Sequence, residues 1–395
     1  MDKIKVAAMP CADYNADSVR QAVDTVLSSL GGIESFVPKD AKVFVKVNLV
    51  REMPPEKCGT THPEVVVALC KQLEKVTSNV TVGDSCAGMY SKSVLNAVYN
   101  KCGLNQIEQR TCARLNQNFE SRTVEIGGVA LSDCDIISAF LDADVVINVC
   151  KLKTHSFAGY SGAVKNLYGL IPGLVKVEMH SRFPQLADFC NLLCDLEQFA
   201  RPKIVLHLMD AVWGMDGEGP TNGKPKFIGQ IIASANPYAL DTVAVSLFAE
   251  NTLDMPILQT AASRNYLGCH AEQIDFDFDA FKSNFIADFD FAPAENINFF
   301  QNMSPFIKFF SKYMTKKVYM DATCRACGKC VQHCPAHAIT IVKKRARVAQ
   351  KKCIHCYCCQ ELCPFNAVRF KKSLLYRIAR KLSGKRNKSD SKHNN

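Results

Sequence analysis

The sequence predicts an α/β protein, with a mainly parallel sheet domain followed by a small α+β domain rich in cysteine. Two observations predict it. Over residues 1–273, apolar runs of strand character alternate with helical stretches that have one apolar face, the pattern that a parallel sheet and its covering helices leave in a sequence. Further on, nine of the 20 cysteines fall within residues 324–364.

Residues 4–8 alternate as a first strand, and residues 17–30 form a helix with Val19, Val23, Val26 and Leu27 near one face, stopped by Gly31-Gly32. Residues 42–47 give a second strand with a polar exit at Asn48, Arg51 and Pro54-Pro55. A helix starts at Thr60-Thr61-His62-Pro63-Glu64 and runs to about Lys75, because Pro63 suits the first helical position and Glu64 complements the helix dipole. Residues 79–82 are a short strand opening into Gly83-Asp-Ser-Cys-Ala-Gly88, with a helix over 91–100. Residues 144–149 are nearly all apolar, as in a strand covered on both faces, and end in Cys150-Lys-Leu-Lys-Thr-His155. Gly159, Gly162, Gly169 and Gly173 punctuate the next stretch. Helices are then expected over 185–199 and 237–249, and strands over 203–212 and 227–233. The Phe-rich residues 274–317 read as a connector packed between two domains. Residues 318–371 are the cysteine-rich domain, and 372–395 are a basic tail, disordered after 384.

Two copies of one pattern fill the cysteine-rich part: Cys324-x-x-Cys327-x-x-Cys330-x-x-x-Cys334-Pro335 and Cys353-x-x-Cys356-x-x-Cys359-x-x-x-Cys363-Pro364. Three thiolates at this spacing, on a loop that coils once, reach three irons of one cubane, while the fourth cysteine points to the other cluster. The pattern therefore assigns Cys324, Cys327, Cys330 and Cys363 to one [4Fe–4S] cluster and Cys353, Cys356, Cys359 and Cys334 to a second. Zinc sites use C-x₂-C pairs separated by longer gaps, and a disulfide framework needs an oxidising compartment. The segment resembles a bacterial two-cluster ferredoxin, with residues 338–341 and 367–370 as its short strands. Cys358 lies outside the spacing and reads as a buried or spare thiol.

A chain of 395 residues with 48% hydrophobic and 22% charged residues is expected to be globular, water-soluble and divided into two or three domains. It opens on a strand-like segment where a signal peptide would have a charged and then an apolar region, and no run of 18 apolar residues predicts a transmembrane helix. The remaining 11 cysteines are scattered singly, which points to a reducing cytoplasm in an anaerobe or near-anaerobe. Of the formal charge of +10, residues 371–395 supply nine Lys/Arg against Asp390 alone, leaving 39 against 37 elsewhere. A body so close to neutral excludes a nucleic-acid-binding profile. The tail suits weak contact with an anionic membrane surface.

Ligands of open parallel sheets bind beyond the carboxyl ends of the strands. The polar exits there are Lys46 and Asn48, Gly83-Asp84-Ser85, Lys151, Lys153 and His155, and Asp210 with 214–219; Lys165, Asn166, Lys176 and His180 come after them in the glycine-punctuated stretch. If they converge, Lys46, Asn48, Ser85, Lys151, Lys153, Lys165 and Asn166 make a cationic pocket for a carboxylate or phosphate, with His155 or His180 to shuttle a proton. The bland alternatives are solvated lysines, a plain turn at 83–88, and core or surface histidines. Asp84, Asp210, Asp216, Glu218 and Asp241 read as structural acids ahead of a metal site. Residues 214–219 are followed by Pro220-Thr-Asn-Gly223, which forces turns where a dinucleotide-binding fingerprint needs a helix.

Lys46-Val-Asn-Leu49, Thr61-His-Pro63, Gly83-Asp-Ser85, Ala143-Asp-Val-Val-Ile-Asn148, Lys151-Leu-Lys-Thr-His155, Gly162-Ala-Val-Lys-Asn166, Gly169-Leu-Ile-Pro172, Glu218-Gly-Pro220 and Asp241 closely resemble the domain-of-unknown-function 362 family over residues 3–270. Val47 stands where that family commonly has proline. Its members often carry a two-cluster ferredoxin segment at the carboxyl end, and the resemblance implies the architecture and the site without a settled reaction. The expected function is that of an iron–sulfur redox protein passing electrons, with a redox partner protein, to or from an anionic substrate or cofactor in the first domain. The alternatives are a non-enzymatic electron carrier or adaptor docking a partner protein, and an enzyme whose clusters are only structural.

Overall fold

The computed structural model describes residues 2–291 and 317–371; the chain divides into a unit over residues 1–294 and a second over 295–395. Residues 292–316 of the expected connector (274–317), and the basic tail over 372–395 with its expected disorder, lie outside the described residues.

In the first unit the strands are β1 (Ile4–Pro10), β2 (Val43–Lys46), β3 (Val80–Gly83), β4 (Arg114–Leu115), β5 (Ser121–Glu125), β6 (Asp133–Ile137), β7 (Val145–His155), β8 (Gly159–Ser161), β9 (Ile204–Asp216), β10 (Lys224–Ser234) and β11 (Ile274–Asp275). Nine of them form one sheet in the order β11-β1-β10-β9-β7-β2-β3-β4, with β8 on β7; β5 and β6 pair separately. The pairs from β9 through β7, β2 and β3 to β4 are parallel, whereas β10 is antiparallel to both β9 and β1. The sheet is thus mixed and mainly parallel, as expected.

Strand alternation sends Val43, Val45, Val80, Val82, Ile147, Val149, Leu206 and Leu208 into one buried cluster with Val19, Val23 and Val26 of the helix Ala16–Ser29 and Val65, Val66 and Leu69 of the helix Pro63–Leu73. Fully burying each such side chain contributes about 1.5–3 kcal/mol. Both helices start on caps that satisfy free backbone donors: Asn15 accepts from Asp17 N, and His62 from Glu64 N.

The opposite face of the sheet has a different composition. Lys46 is in register with Asn148, Asn148 with His207, and His207 with Ser234, and all four are buried. This polar row crosses the middle of a sheet whose strands otherwise read as apolar. It is covered by the short helix Ala163–Asn166 and the helix Pro237–Ser246. Asp241, on the latter, accepts from Ala163 N at 2.7 Å, Val164 N at 3.1 Å and the Tyr160 hydroxyl at 3.2 Å. Burial pushes its carboxyl up to about 7.

Two strands run further than the apolar pattern implies. β7 continues past Val149 to His155 because β9 pairs along one side, at Lys151↔Asp210 and Lys153↔Met215, and β8 along the other, at Lys153↔Ser161 and His155↔Gly159. Backbone groups satisfied on both sides hold a polar sequence extended. β9 likewise runs on to Asp216, paired with β10 as far as Asp216↔Lys224. The aromatic stretch up to Phe291 packs within the first unit, where the buried Phe289 stacks on Phe248 at 4.4 Å.

In the second unit β12 (Lys317–Met320) pairs with β15 (Val368–Lys371), and β13 (Ile339–Val342) with β14 (Arg345–Val348), both antiparallel. The expected strands over 338–341 and 367–370 are thus present, displaced by one residue.

Close approach explains one glycine. A Cβ on Gly173 would overlap the Gly88 carbonyl oxygen, so Gly173→Ala should lower stability by about 1–3 kcal/mol in chemical denaturation. An unchanged midpoint would show that this contact is not close-packed.

Candidate functional site

The parallel strands place their carboxyl ends on one edge of the sheet, and the polar residues gather there in one hydrogen-bonded network. Lys46 Nζ pairs with Asp84 Oδ1 at 2.7 Å, both side chains almost fully buried, and donates to Val47 O at 2.8 Å. Asp84 also accepts from Leu49 N at 2.7 Å and Ser85 N at 2.8 Å. Burial lowers the Lys46 ammonium below its ordinary value, and Asp84 opposes that shift. Gly169 lies against the pair so closely that any Cβ would overlap Asp84 Oδ1.

Asn166 Oδ1 accepts from Asn48 Nδ2 at 2.8 Å and from Lys46 at 3.4 Å, while Asn166 Nδ2 donates to Asn148 Oδ1 at 2.7 Å. Asn148 Nδ2 in turn donates to Ala163 O and lies 2.9 Å from His207 Nδ1. Burial lowers His207 to about 3, so the ring is neutral and its free nitrogen accepts. Lys153 Nζ donates to Asn48 Oδ1 and, at 2.7 Å, to Gly59 O.

Beside this network Lys151 Nζ pairs with Asp210 Oδ2 at 2.8 Å and donates to the Tyr14 hydroxyl at 2.6 Å. Tyr14 donates to Asp210 Oδ1 at 2.7 Å, and His62 N to Asp210 Oδ2 at 2.8 Å. Tyr14 and His62 stack at 3.6 Å with their planes 5° apart. Burial, then Asp210, hold the Tyr14 hydroxyl well above its ordinary value, and burial lowers His62 to about 4. Both rings are half-buried and border the ammonium groups.

Lys46, Asn48, Lys153 and Asn166 are therefore joined directly, and Ser85 through Asp84. Ser85 also receives Lys176, whose Nζ donates to the Ser85 carbonyl. Lys151 belongs to the adjacent Asp210 group. His155, near the end of β7, uses Nδ1 to accept from Phe157 N and Ala158 N in the hairpin turn. His180 stacks on Phe189 at 4.7 Å among Phe157 and Tyr168, and Lys165 lies over the rings of Tyr168 and Phe189. Sequence reasoning misses Tyr14, His62, Asn148 and His207 as members of the site. His62 has a signal, the Thr-Thr-His-Pro helix start, but that signal reports a cap. Asp84, Asp210 and Asp241 act as ion-pair and capping acids.

The second unit carries the cysteines. Burial and the neighbouring Cys363, Cys327 and Cys324 push the Cys330 thiol up to about 11. Burial, then Cys356, Cys353, Cys330 and Cys334, raise Cys359, and Cys353 has Cys356 and Cys334 beside it. The two arms match: Ala338 N donates to Cys334 Sγ and Ala367 N to Cys363 Sγ, each at 3.3 Å. Such donors stabilise a cluster-bound thiolate. Sulfur donors grouped this way, with backbone N–H groups aimed at them, fit an iron–sulfur group.

Residues 43–246 match the family model described as Domain of unknown function (DUF362), and residues 316–364 match the 4Fe-4S dicluster domain. The carboxyl-terminal segment is thus a [4Fe–4S]-binding, ferredoxin-type domain with an electron-transfer role. Among curated proteins, the Thylakoid-associated protein sll1697 of Synechocystis sp. is 29% identical over 281 residues, covering 69% of this chain and 82% of that one. Among solved structures, the lactate racemase apoprotein from Thermoanaerobacterium thermosaccharolyticum aligns with a TM-score of 0.37 and 14% identity over 60% of this chain and 55% of that chain, a likeness too loose to carry an activity over.

Two outcomes check the site. Lys46→Met leaves the Asp84 carboxylate buried without its ammonium and should cost about 3–5 kcal/mol; the double variant Lys46→Met/Asp84→Leu should recover part of that in denaturant unfolding. His62, lowered from 6.5 to about 4, contributes stability present above pH 6.5 and lost as pH falls through 4. His62→Asn keeps a capping side chain and should flatten the fall in melting temperature across that window.

Proposed function

The chain belongs to the family described as Domain of unknown function (DUF362), and from that premise we propose an iron–sulfur redox protein with two [4Fe–4S] clusters, exchanging electrons with an anionic substrate or cofactor in the first unit. Cys324, Cys327, Cys330 and Cys363 would hold one cluster and Cys353, Cys356, Cys359 and Cys334 the other, supplying one-electron transfer. The observation that carries the anion site is the gathering of three buried ammonium groups, Lys46, Lys151 and Lys153, at the carboxyl edge of the sheet. Asn48, Ser85 and Asn166 add polar contacts, and Lys165 a further cation. Tyr14 keeps its proton, which it donates to Asp210 Oδ1, and stands half-buried beside Lys151; His62 is neutral. His155, whose Nδ1 serves the hairpin turn, or His180, stacked on Phe189, would shuttle a proton to the bound ligand.

One observation favours the second reading, a carrier or adaptor that docks a partner protein. Asp84 and Asp210 already neutralise Lys46 and Lys151, so these two cations do not require a further anion. Native mass spectrometry of anaerobically purified protein separates the two. A retained anion that is lost in Lys153→Met/Lys165→Met, with the fold intact, supports the first; clusters with only a co-purifying protein support the second.

No helix among the described residues is long and apolar enough to cross a membrane. The name of the curated relative places that protein at thylakoids. We read this chain as cytoplasmic, touching an anionic membrane surface through its basic tail.

Cluster wiring gives the sharpest check. Anaerobic protein should hold about eight irons per chain. Cys334→Ser should damage the cluster of Cys353, Cys356 and Cys359, read by iron content and paramagnetic resonance; selective loss of the Cys324 cluster would refute the crossing.

A further inference from the structure

We propose that the loop bearing Cys324, Cys327 and Cys330 is the docking face of the second unit, and that it takes a redox protein whose own electron-transfer centre is ringed by acidic side chains. The inference rests on the iron–sulfur reading above and names its partner class.

Charge is the first ground. Residues 2–291 hold 26 Lys/Arg against 34 Asp/Glu, whereas residues 317–371 hold 11 against two, Asp321 and Glu361. Asp321 is itself paired with Arg369 at 2.9 Å. Two clusters, each adding about −2 with its thiolates, leave this segment clearly positive. The near-neutral average of the folded body hides an acidic first unit and a basic second one.

Placement is the second ground. The two cysteine loops are one pattern displaced by 29 residues, so they compare position by position. Where the first has Arg325, Cys327, Gly328 and Lys329, the second has Ile354, Cys356, Tyr357 and Cys358. Cys356, Tyr357 and Cys358 are buried, and Tyr357 packs edge-on against Phe370 at 4.7 Å. On the first loop Arg325, Cys327 and Lys329 are exposed, and a Cβ built on Gly328, at φ +83°, meets nothing within 4 Å. An aromatic plug closes one loop and a glycine leaves the other open, with a cation on each side of the exposed ligand.

Electron transfer falls off steeply with distance, so an exposed cluster ligand marks where a partner's centre must come close. Positive charge at that point steers and orients an acidic partner. An anionic membrane would meet the same charge, but lipid accepts no electron. Cations flanking the ligand itself serve an approach to the thiolate.

The test uses the full chain with its clusters loaded and an acidic flavodoxin as probe. Binding is followed by calorimetry and electron transfer by stopped flow. Both should weaken about tenfold between roughly 0.02 and 0.2 M salt. Arg325→Glu/Lys329→Glu should weaken both at least as much while iron content and paramagnetic resonance stay unchanged, and should improve binding of basic cytochrome c. Lys343→Glu/Lys344→Glu, on the β13–β14 turn, should do less. If the reversal costs iron, Arg325→Gln/Lys329→Gln carries the same comparison. Flavodoxin binding indifferent to these changes overturns the inference, as does a loss confined to vesicles of equimolar phosphatidylglycerol and phosphatidylcholine. Iron-free wild-type protein would overturn the iron–sulfur reading itself; intact clusters with charge-blind docking overturn only the docking face.

Discussion

The first unit depends on an ion pair placed where water cannot reach it. Burying an ammonium and a carboxylate costs several kcal/mol each after relaxation, and their attraction offsets this only when the remaining donors and acceptors are met. The surroundings of Lys46 and Asp84 meet them. Leu49 N and Ser85 N donate to the carboxylate, and Val47 O accepts from the ammonium. This ties the exits of β2 and β3 to each other. It also sets the packing around the pair, since Gly169 lies where no side chain fits, and the glycine punctuation of that stretch has a steric cause.

The same pair begins the polar row. From Lys46 the row passes through Asn148 and His207 to Ser234, and Asn166 joins it from above. Buried amides and a neutral imidazole are costly unless each is hydrogen-bonded, and once satisfied they fix register more sharply than aliphatic packing does. A one-residue slip of β7 against β2 would set Asn148 in the aliphatic cluster and Val149 among the polar groups. Stability comes mainly from the aliphatic face, and the polar face specifies the alignment that brings Lys151, Lys153 and Asp210 to the edge.

The second unit uses symmetry differently. Its two cysteine loops share spacing and hydrogen-bond pattern, seen in the matching contacts of Ala338 with Cys334 and Ala367 with Cys363. Their surroundings diverge, with Tyr357 and Phe370 over one loop and Gly328 open on the other. Hydrogen bonding and solvent exposure both set the potential of an iron–sulfur group, so one chain presents two unlike environments for the same chemistry.

The range of each interaction decides how legible it is in the chain. Cysteine spacing is local: three thiolates on one coil have their geometry fixed by the intervening residues, so the grouping of the cysteines is legible in the sequence. The helix start at Pro63, the alternation of β2 and β3, and the apolar start of β7 are local as well. The partners in the site are not. Tyr14 reaches Asp210 across 196 positions and Lys46 reaches Asn166 across 120, and no periodicity encodes such meetings. Sequence alone determined that lysines stand at the strand ends; only the tertiary structure decided that Lys46 and Lys151 would meet aspartates and that β7 would stay extended to His155. The reason is that a strand's far end is defined by the neighbours that satisfy its backbone, and those neighbours arrive from distant parts of the chain.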